Sequence, residues 1–184
     1  MIWPGSLVLL AISVCLGLEC QEGRLGSCDC REQGRNSSFE LECPSSSQTQ
    51  EQKVHIIVEP GRSVNMTCEP GISWADVVNN IENLELGNVP ALEMNDCPIP
   101  TDSFASVLRK MGVVIGNLSK LKLDKMSHSN SNQLEGKHFA DLEDLEEFQC
   151  NNCDIVALPG QLLDGLGKLK IISFHNNNIL KEFD

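Results

Sequence analysis

The chain has 184 residues, the length of one domain of ordinary size, and carries 26 acidic against 14 basic side chains for a net charge of −12. That balance argues against a nucleic-acid-binding surface, which needs clustered basic residues. Catalysis finds no support either, since no G-x-S-x-G, H-E-x-x-H or phosphate-binding glycine loop occurs. His55, His128, His138 and His175 are scattered along the chain, and nothing in it implies a cofactor.

Residues 7–16 form an apolar run followed by Gly17, long enough for the hydrophobic part of a signal peptide and short of the ~20 residues that span a bilayer. Residues 1–17 are therefore expected to be a signal peptide cleaved after Gly17, leaving an exported, soluble chain. Cleavage removes Cys15 and leaves eight cysteines, at positions 20, 28, 30, 43, 68, 97, 150 and 153. An even number in an exported chain predicts disulfides. Sequons at Asn36, Asn65 and Asn117 point to the same secretory compartment and mark candidate glycosylation sites.

Residues 18–88 are expected to form a cysteine-rich cap. Cys20, Cys28, Cys30 and Cys43 crowd into a segment with few large apolar residues, which needs cross-links to stay folded. Ser45 to Gln50 reads as a polar loop, and Val54 to Val58 as a β-branched strand ended by Pro60–Gly61. The sequence alone does not choose a cysteine pairing. The arrangement favoured here is Cys20–Cys28, Cys30–Cys43 and Cys68–Cys97, because Cys28 and Cys30 sit two apart on one extended segment. A Cys68–Cys97 bridge closes a loop of about 30 residues, contributing roughly 3–4 kcal/mol in the chain-entropy model. It also pins the cap to the segment that begins at residue 89.

From residue 89 onward one template recurs. Val89-x-x-Leu92-x-Met94-x-x-Cys97-x-Ile99 fits L-x-x-L-x-L-x-x-[N/C]-x-L, the leucine-rich repeat. Leu118-x-x-Leu121-x-Leu123-x-x-Met126 fits its first half and then loses register. Leu145-x-x-Phe148-x-Cys150-x-x-Cys153-x-Ile155 and Leu169-x-x-Ile172-x-Phe174-x-x-Asn177-x-Ile179 fit throughout. The starts at 89, 118, 145 and 169 lie 29, 27 and 24 residues apart, so the period tightens along the chain. A helical alternative needs a 3.6-residue period, whereas here the core alternates and Asn176–Asn178 breaks any helix. Each unit then predicts a short strand with alternate residues inward, a turn stabilised by the Asn/Cys position, and a convex return. Asn177 can satisfy the turn with its amide, and Cys153 only weakly. Leu158, Leu162, Leu163 and Leu166 supply convex packing, and residues 141–144 and 164–168 look like equivalent turns.

Cys150 and Cys153 form a C-x-x-C. No second C-x-x-C or His pair completes a zinc site, and no βαβ pattern supports a redox pair. Both occupy inward slots of the template and are read as buried thiols or a local disulfide.

The fold expected is an α/β solenoid: a leucine-rich-repeat horseshoe segment with a cysteine-rich N-terminal cap and a parallel β-sheet on the concave face. The repeats span 89–184 and are incomplete at the C-terminus. Such solenoids usually present a binding surface.

The order Cys…Cys-x-Cys…Glu42-Cys43-Pro44, a short strand, Asn65-Met66-Thr67-Cys68 and then Cys97-Pro98-Ile99-Pro100 resembles the N-terminal ectodomain of insect Toll receptors. Phe104 to Leu108 resembles that family's irregular first repeat, and the similarity covers roughly residues 20–184. The resemblance implies an innate-immune or developmental receptor module that binds a cystine-knot cytokine of the Spätzle type. It also implies a full-length form that dimerises and signals through a cytoplasmic TIR domain. This chain carries neither a membrane span nor that domain, so it is read as a receptor fragment or truncated product, extracellular or part of a plasma-membrane ectodomain. The alternative is a secreted leucine-rich-repeat matrix or decoy protein without signalling of its own.

Positions between the fixed apolar residues point out from the strands and form three columns. These are Ala91, Lys120, Glu147 and Ile171; Glu93, Lys122, Gln149 and Ser173; and Asn95, Asp124, Asn151 and His175. Lys120, Lys122, Glu147, Gln149, Asn151, Ser173 and His175 are the candidate ligand contacts. Lys120, Lys122 and Lys125 beside Glu146 and Glu147 could equally be cross-strand ion pairs.

Overall fold

The computed structural model describes residues 20, 23–25, 27–33, 38–44, 52–81, 84–126, 134–155 and 158–177. The signal-peptide expectation, the polar loop at 45–50, Asn36, His128 and Ile179 lie outside the described residues. Nine strands form one sheet in chain order: β1 (Arg24–Leu25), β2 (Cys28–Gln33), β3 (Ser38–Pro44), β4 (Lys53–Glu59), β5 (Ser63–Cys68), β6 (Ala91–Asn95), β7 (Lys120–Asp124), β8 (Glu147–Asn151) and β9 (Ile171–Ser173). The first five pair antiparallel and the last five parallel, with β5 belonging to both sets.

The antiparallel part follows from alternation. In β3, Phe39, Leu41 and Cys43 are buried while Ser38, Glu40 and Glu42 face outward. Tight turns join antiparallel strands, and Gly61 at φ +69° closes the β4–β5 hairpin. Parallel pairing of β5 with β6 instead needs a crossover. The chain supplies α1 (Trp74–Ile81), whose Trp74, Val77, Val78 and Ile81 lie three or four apart and are buried.

The parallel part repeats its backbone chemistry. Asp96, Lys125, Asn152 and Asn176 each follow a strand and each takes a left-handed φ between 49° and 54°. The next residue, Cys97, Met126 or Cys153, is buried, so the second unit follows the template as far as its sequence match runs, and the position where the match is lost, His128, lies outside the described residues. Each turn amide donates to the next repeat: Asp96 N to Asp124 O, Lys125 N to Asn151 O and Asn152 N to His175 O, all at 3.0 Å. On the convex side, Leu142 N to Phe139 O and Leu145 N to Leu142 O recur 24 residues later as Leu166 N to Leu163 O and Leu169 N to Leu166 O.

The cysteine pairing differs from the one favoured on sequence. The bridges are Cys20–Cys30, Cys28–Cys43, Cys68–Cys97 and Cys150–Cys153. Strand register explains the exchange. Asp29 pairs with Glu42 and Cys30 with Leu41, which sets Cys28 directly opposite Cys43. Cys30 therefore faces a leucine across the ladder and is bridged by Cys20 from the preceding segment. Sequence spacing could not reveal this, because cysteine separations do not state the strand register.

A second helix, α2 (Phe104–Lys110), begins at Ser103, whose Oγ accepts from Ser106 N at 3.1 Å. It buries Phe104, Ala105, Val107 and Leu108. Just beyond it, Gly112 at φ +71° passes so close to Glu85 that a Cβ would lie 2.6 Å from Glu85 Cα. Phe104, Phe139, Phe148 and Phe174 form a continuous aromatic chain, with Phe139–Phe148 and Phe148–Phe174 edge to face at 4.9 and 5.7 Å.

Candidate functional site

Alternation leaves one face of the sheet for solvent and potential partners, and strand register arranges that face in rows. The middle row runs Glu40, Ile57, Asn65, Glu93, Lys122, Gln149 and Ser173, each the register partner of the next. A second row runs Glu42, His55, Thr67, Asn95, Asp124 and Asn151. The third aligns Ala91, Lys120, Glu147 and Ile171. Six of the candidate contacts thus share one face. His175 lies just past β9 in an exposed turn, its amide donating to Asn151 Oδ1 at 3.2 Å.

Electrostatics on this face is local. Lys120 Nζ lies 3.0 Å from Glu147 Oε2, and Lys122 Nζ donates to Glu93 Oε1 at 2.6 Å. Lys170 pairs with Glu146 at 3.0 Å. Lys120, Lys122 and Lys170 are ion-paired to neighbouring carboxylates rather than forming an uncompensated basic row. The Lys120 ammonium, helped by Gln149, holds the Glu147 carboxyl below its ordinary range. On the cap side, the hydrogen bond from Lys53 does the same for Glu42. Exposed pairs of this kind are screened by water and stabilise little, so their main effect is on the charge pattern of the face.

Where the antiparallel and parallel halves meet, the face sinks into an open depression of about 330 Å³. Small residues Ser63 and Ala91 line it together with Ile57, Asn65, Glu93, Lys120 and Lys122. The sequence columns began at β6 and missed Ile57 and Asn65, because nothing local announces that β4 and β5 continue the repeat sheet. The alternation of Val54, Ile56 and Val58 with His55 and Ile57 was the available signal. Asn65 Oδ1 accepts from Asn95 Nδ2 at 3.0 Å, and Asn117 stands exposed on the short 3-10 turn Ile115–Asn117.

Asn177 works in the turn through its amide. Its Oδ1 accepts from Cys153 N at 2.9 Å and its Nδ2 donates to Cys150 O at 2.7 Å. His138 is the one buried charged or polar residue among those described. Its Nδ1 accepts from Glu135 N at 2.8 Å and the Pro100 carbonyl takes the other ring proton. Burial, then the nearby Lys137 charge, pushes its pKa down, so it is a structural neutral imidazole. Among the described residues no group of three or more His, Cys, Asp or Glu is placed to hold a metal ion.

A sheet of this order, with a bridged antiparallel cap running into parallel repeats, has counterparts among solved structures. The chain is similar to a chain of the Drosophila Toll–Spatzle complex, a hub in development and innate immunity. The TM-score is 0.65 at 20% identity, covering 85% of this chain and 19% of that one. The fold is a capped leucine-rich-repeat solenoid. The glycosylated form of the same complex matches with a TM-score of 0.56 at 20% identity, over 85% of this chain and 23% of that one. The chain thus spans about a fifth of the length of the chains it matches. No protein-family model and no curated protein matches it. The likeness establishes the architecture of a leucine-rich-repeat solenoid.

Proposed function

We propose that this chain is the N-terminal part of an exported receptor ectodomain of the insect Toll type, which captures a protein ligand on its strand face. The ligand class is a cystine-knot cytokine like Spätzle. The observation that carries the reading is the alignment, across cap and repeats together, with a chain taken from the Toll–Spatzle complex. Four disulfides agree with an oxidising, extracellular setting. In the full-length form a membrane span, a TIR domain and dimerisation would convert capture into a signal.

Lys120, Lys122, Glu147, Gln149, Asn151, Ser173 and His175 are the contact residues. Their paired charges offer a partner both signs in a fixed pattern, which favours selectivity over raw affinity. Reversing Lys120→Glu and Lys122→Glu places like charges against Glu147 and Glu93 and inverts the pattern. Affinity for a Spätzle-class cytokine, measured by surface binding on the folded and bridged protein, should fall. Unchanged affinity would remove the strand face from the proposal. Sequencing the transcript past codon 184 tests the receptor part: a span and TIR domain support it, and an in-frame stop points instead to a secreted matrix or decoy protein.

A further inference from the structure

Asn65-Met66-Thr67 is a sequon in the middle of a sheet. Positions i and i+2 of a strand share a face, so Asn65 and Thr67 both lie on the outward side of β5, above buried Met66. The Asn65 amide is already oriented: Asn95 Nδ2 holds its Oδ1 at 3.0 Å, and Nδ2 is the atom that accepts a sugar. Around it lies the depression of about 330 Å³, with small Ser63 and Ala91 at one side. Ile57, its register neighbour, is 39% exposed, one of few large apolar residues left open among those described. On the other side stands the Glu93–Lys122 ion pair.

We infer that Asn65 carries an N-linked glycan whose first sugar seats in this depression and closes the strand face between β5 and β7. The inference rests on the reading of the chain as exported. The donor is an oligosaccharide on a polyisoprenyl diphosphate. Asn65 Nδ2 loses a proton and bonds to the anomeric carbon, while the bond from that carbon to the diphosphate oxygen breaks and the lipid diphosphate leaves. Transfer takes place on the extended chain before β5 pairs, and the bond to Asn95 survives because Oδ1 is untouched. The sugar's N-acetyl methyl then covers Ile57 and Ala91, and its hydroxyls meet Glu93 and Lys122. A protein partner then meets Lys120, Lys122, Glu147 and Gln149 from the β7–β9 side, at the sugar's edge, and only the unglycosylated chain offers the whole depression.

The test uses the full chain secreted from eukaryotic cells, with peptide mapping after N-glycosidase release in heavy-oxygen water. The Asn65 peptide should be tagged in the wild type and in Thr67→Ser, and untagged in Asn65→Gln and Thr67→Val. The Asn117 peptide should be tagged in all four. Thr67→Val keeps a β-branched residue in the strand and leaves the Asn65–Asn95 bond intact. Labelling of Lys122 by an amine-reactive reagent should rise in Thr67→Val, and in wild type deglycosylated after folding, with Lys168 unchanged. A tagged Asn117 beside an untagged Asn65 overturns the inference and leaves export standing. A chain that stays inside the cells with neither peptide tagged overturns the export reading as well. Equal Lys122 labelling with and without the glycan overturns the seating.

Discussion

The cap and the repeats share one sheet but close it by different means. In the cap, β2–β5 run antiparallel, and cross-links among Cys20, Cys28, Cys30 and Cys43 hold its first strands. In the repeats, each strand ends in the same left-handed turn, and the turn amide donates to the following unit. A cap has one neighbour to pack against and needs covalent help, whereas an internal repeat is sandwiched and relies on recurrent contacts. The Cys68–Cys97 bridge joins the last cap strand to the first repeat turn, and is the point where one strategy hands over to the other.

Breaking the repeat side should cost most. Phe148 is fully buried between Phe139 and Phe174, so Phe148→Ala should lower unfolding free energy by roughly 3–5 kcal/mol in denaturant titration. A loss under about 1 kcal/mol would mean that the aromatic chain is not the repeats' core. At the junction, Cys68→Ala with Cys97→Ala should cost roughly 3.5 kcal/mol, and Cys150→Ala with Cys153→Ala about 2, following chain-entropy scaling with loop size. The sequence separations are 29 and 3 residues. If the two double variants melt alike, the junction bridge has no special place. Gly112→Ala forces a side chain into both a left-handed φ and the Glu85 backbone, and should destabilise by at least about 1–3 kcal/mol in thermal unfolding.

The smallest effect is a dependence on pH. His138 packs beside Phe104 and binds Glu135 and Pro100, with Lys137 and Glu135 the nearby charges. Its folded pKa is lowered from 6.5, so its contribution is complete above about pH 6.5 and is lost as pH falls through the folded value. Glu42 and Glu147, lowered from 4.5, lose theirs only at more acid pH. Unfolding followed from pH 7 to pH 5 should therefore show a loss that His138→Gln reduces, while a flat profile in wild type would put His138 outside the titrating set.

Much of the repeat region was legible because its periodicity is short-range. Alternation in Leu121-x-Leu123 or Phe148-x-Cys150 dictates which side chains go inward, and the strand register follows from stacking like units. Asn177 was readable for the same reason, since a turn amide has few other partners. The helix at Trp74–Ile81 carried a usable pattern in Trp74, Val77, Val78 and Ile81 that the cysteine framework overshadowed. The pairing of Cys28 with Cys43 was not readable, because it depends on the β2–β3 register, which a one-dimensional cysteine spacing does not contain.

By itself, then, the sequence determined the repeat: local alternation and turn chemistry act over a few residues, and each unit states them again. Tertiary structure decided what lies side by side. Only the ladder of strands sets Asn65 beside Glu93, exchanges the cap's disulfide partners and extends the outer face from the repeats onto the cap. Those relations join residues that are distant along the chain, and cross-strand hydrogen bonding, which a one-dimensional pattern does not contain, is what brings them together.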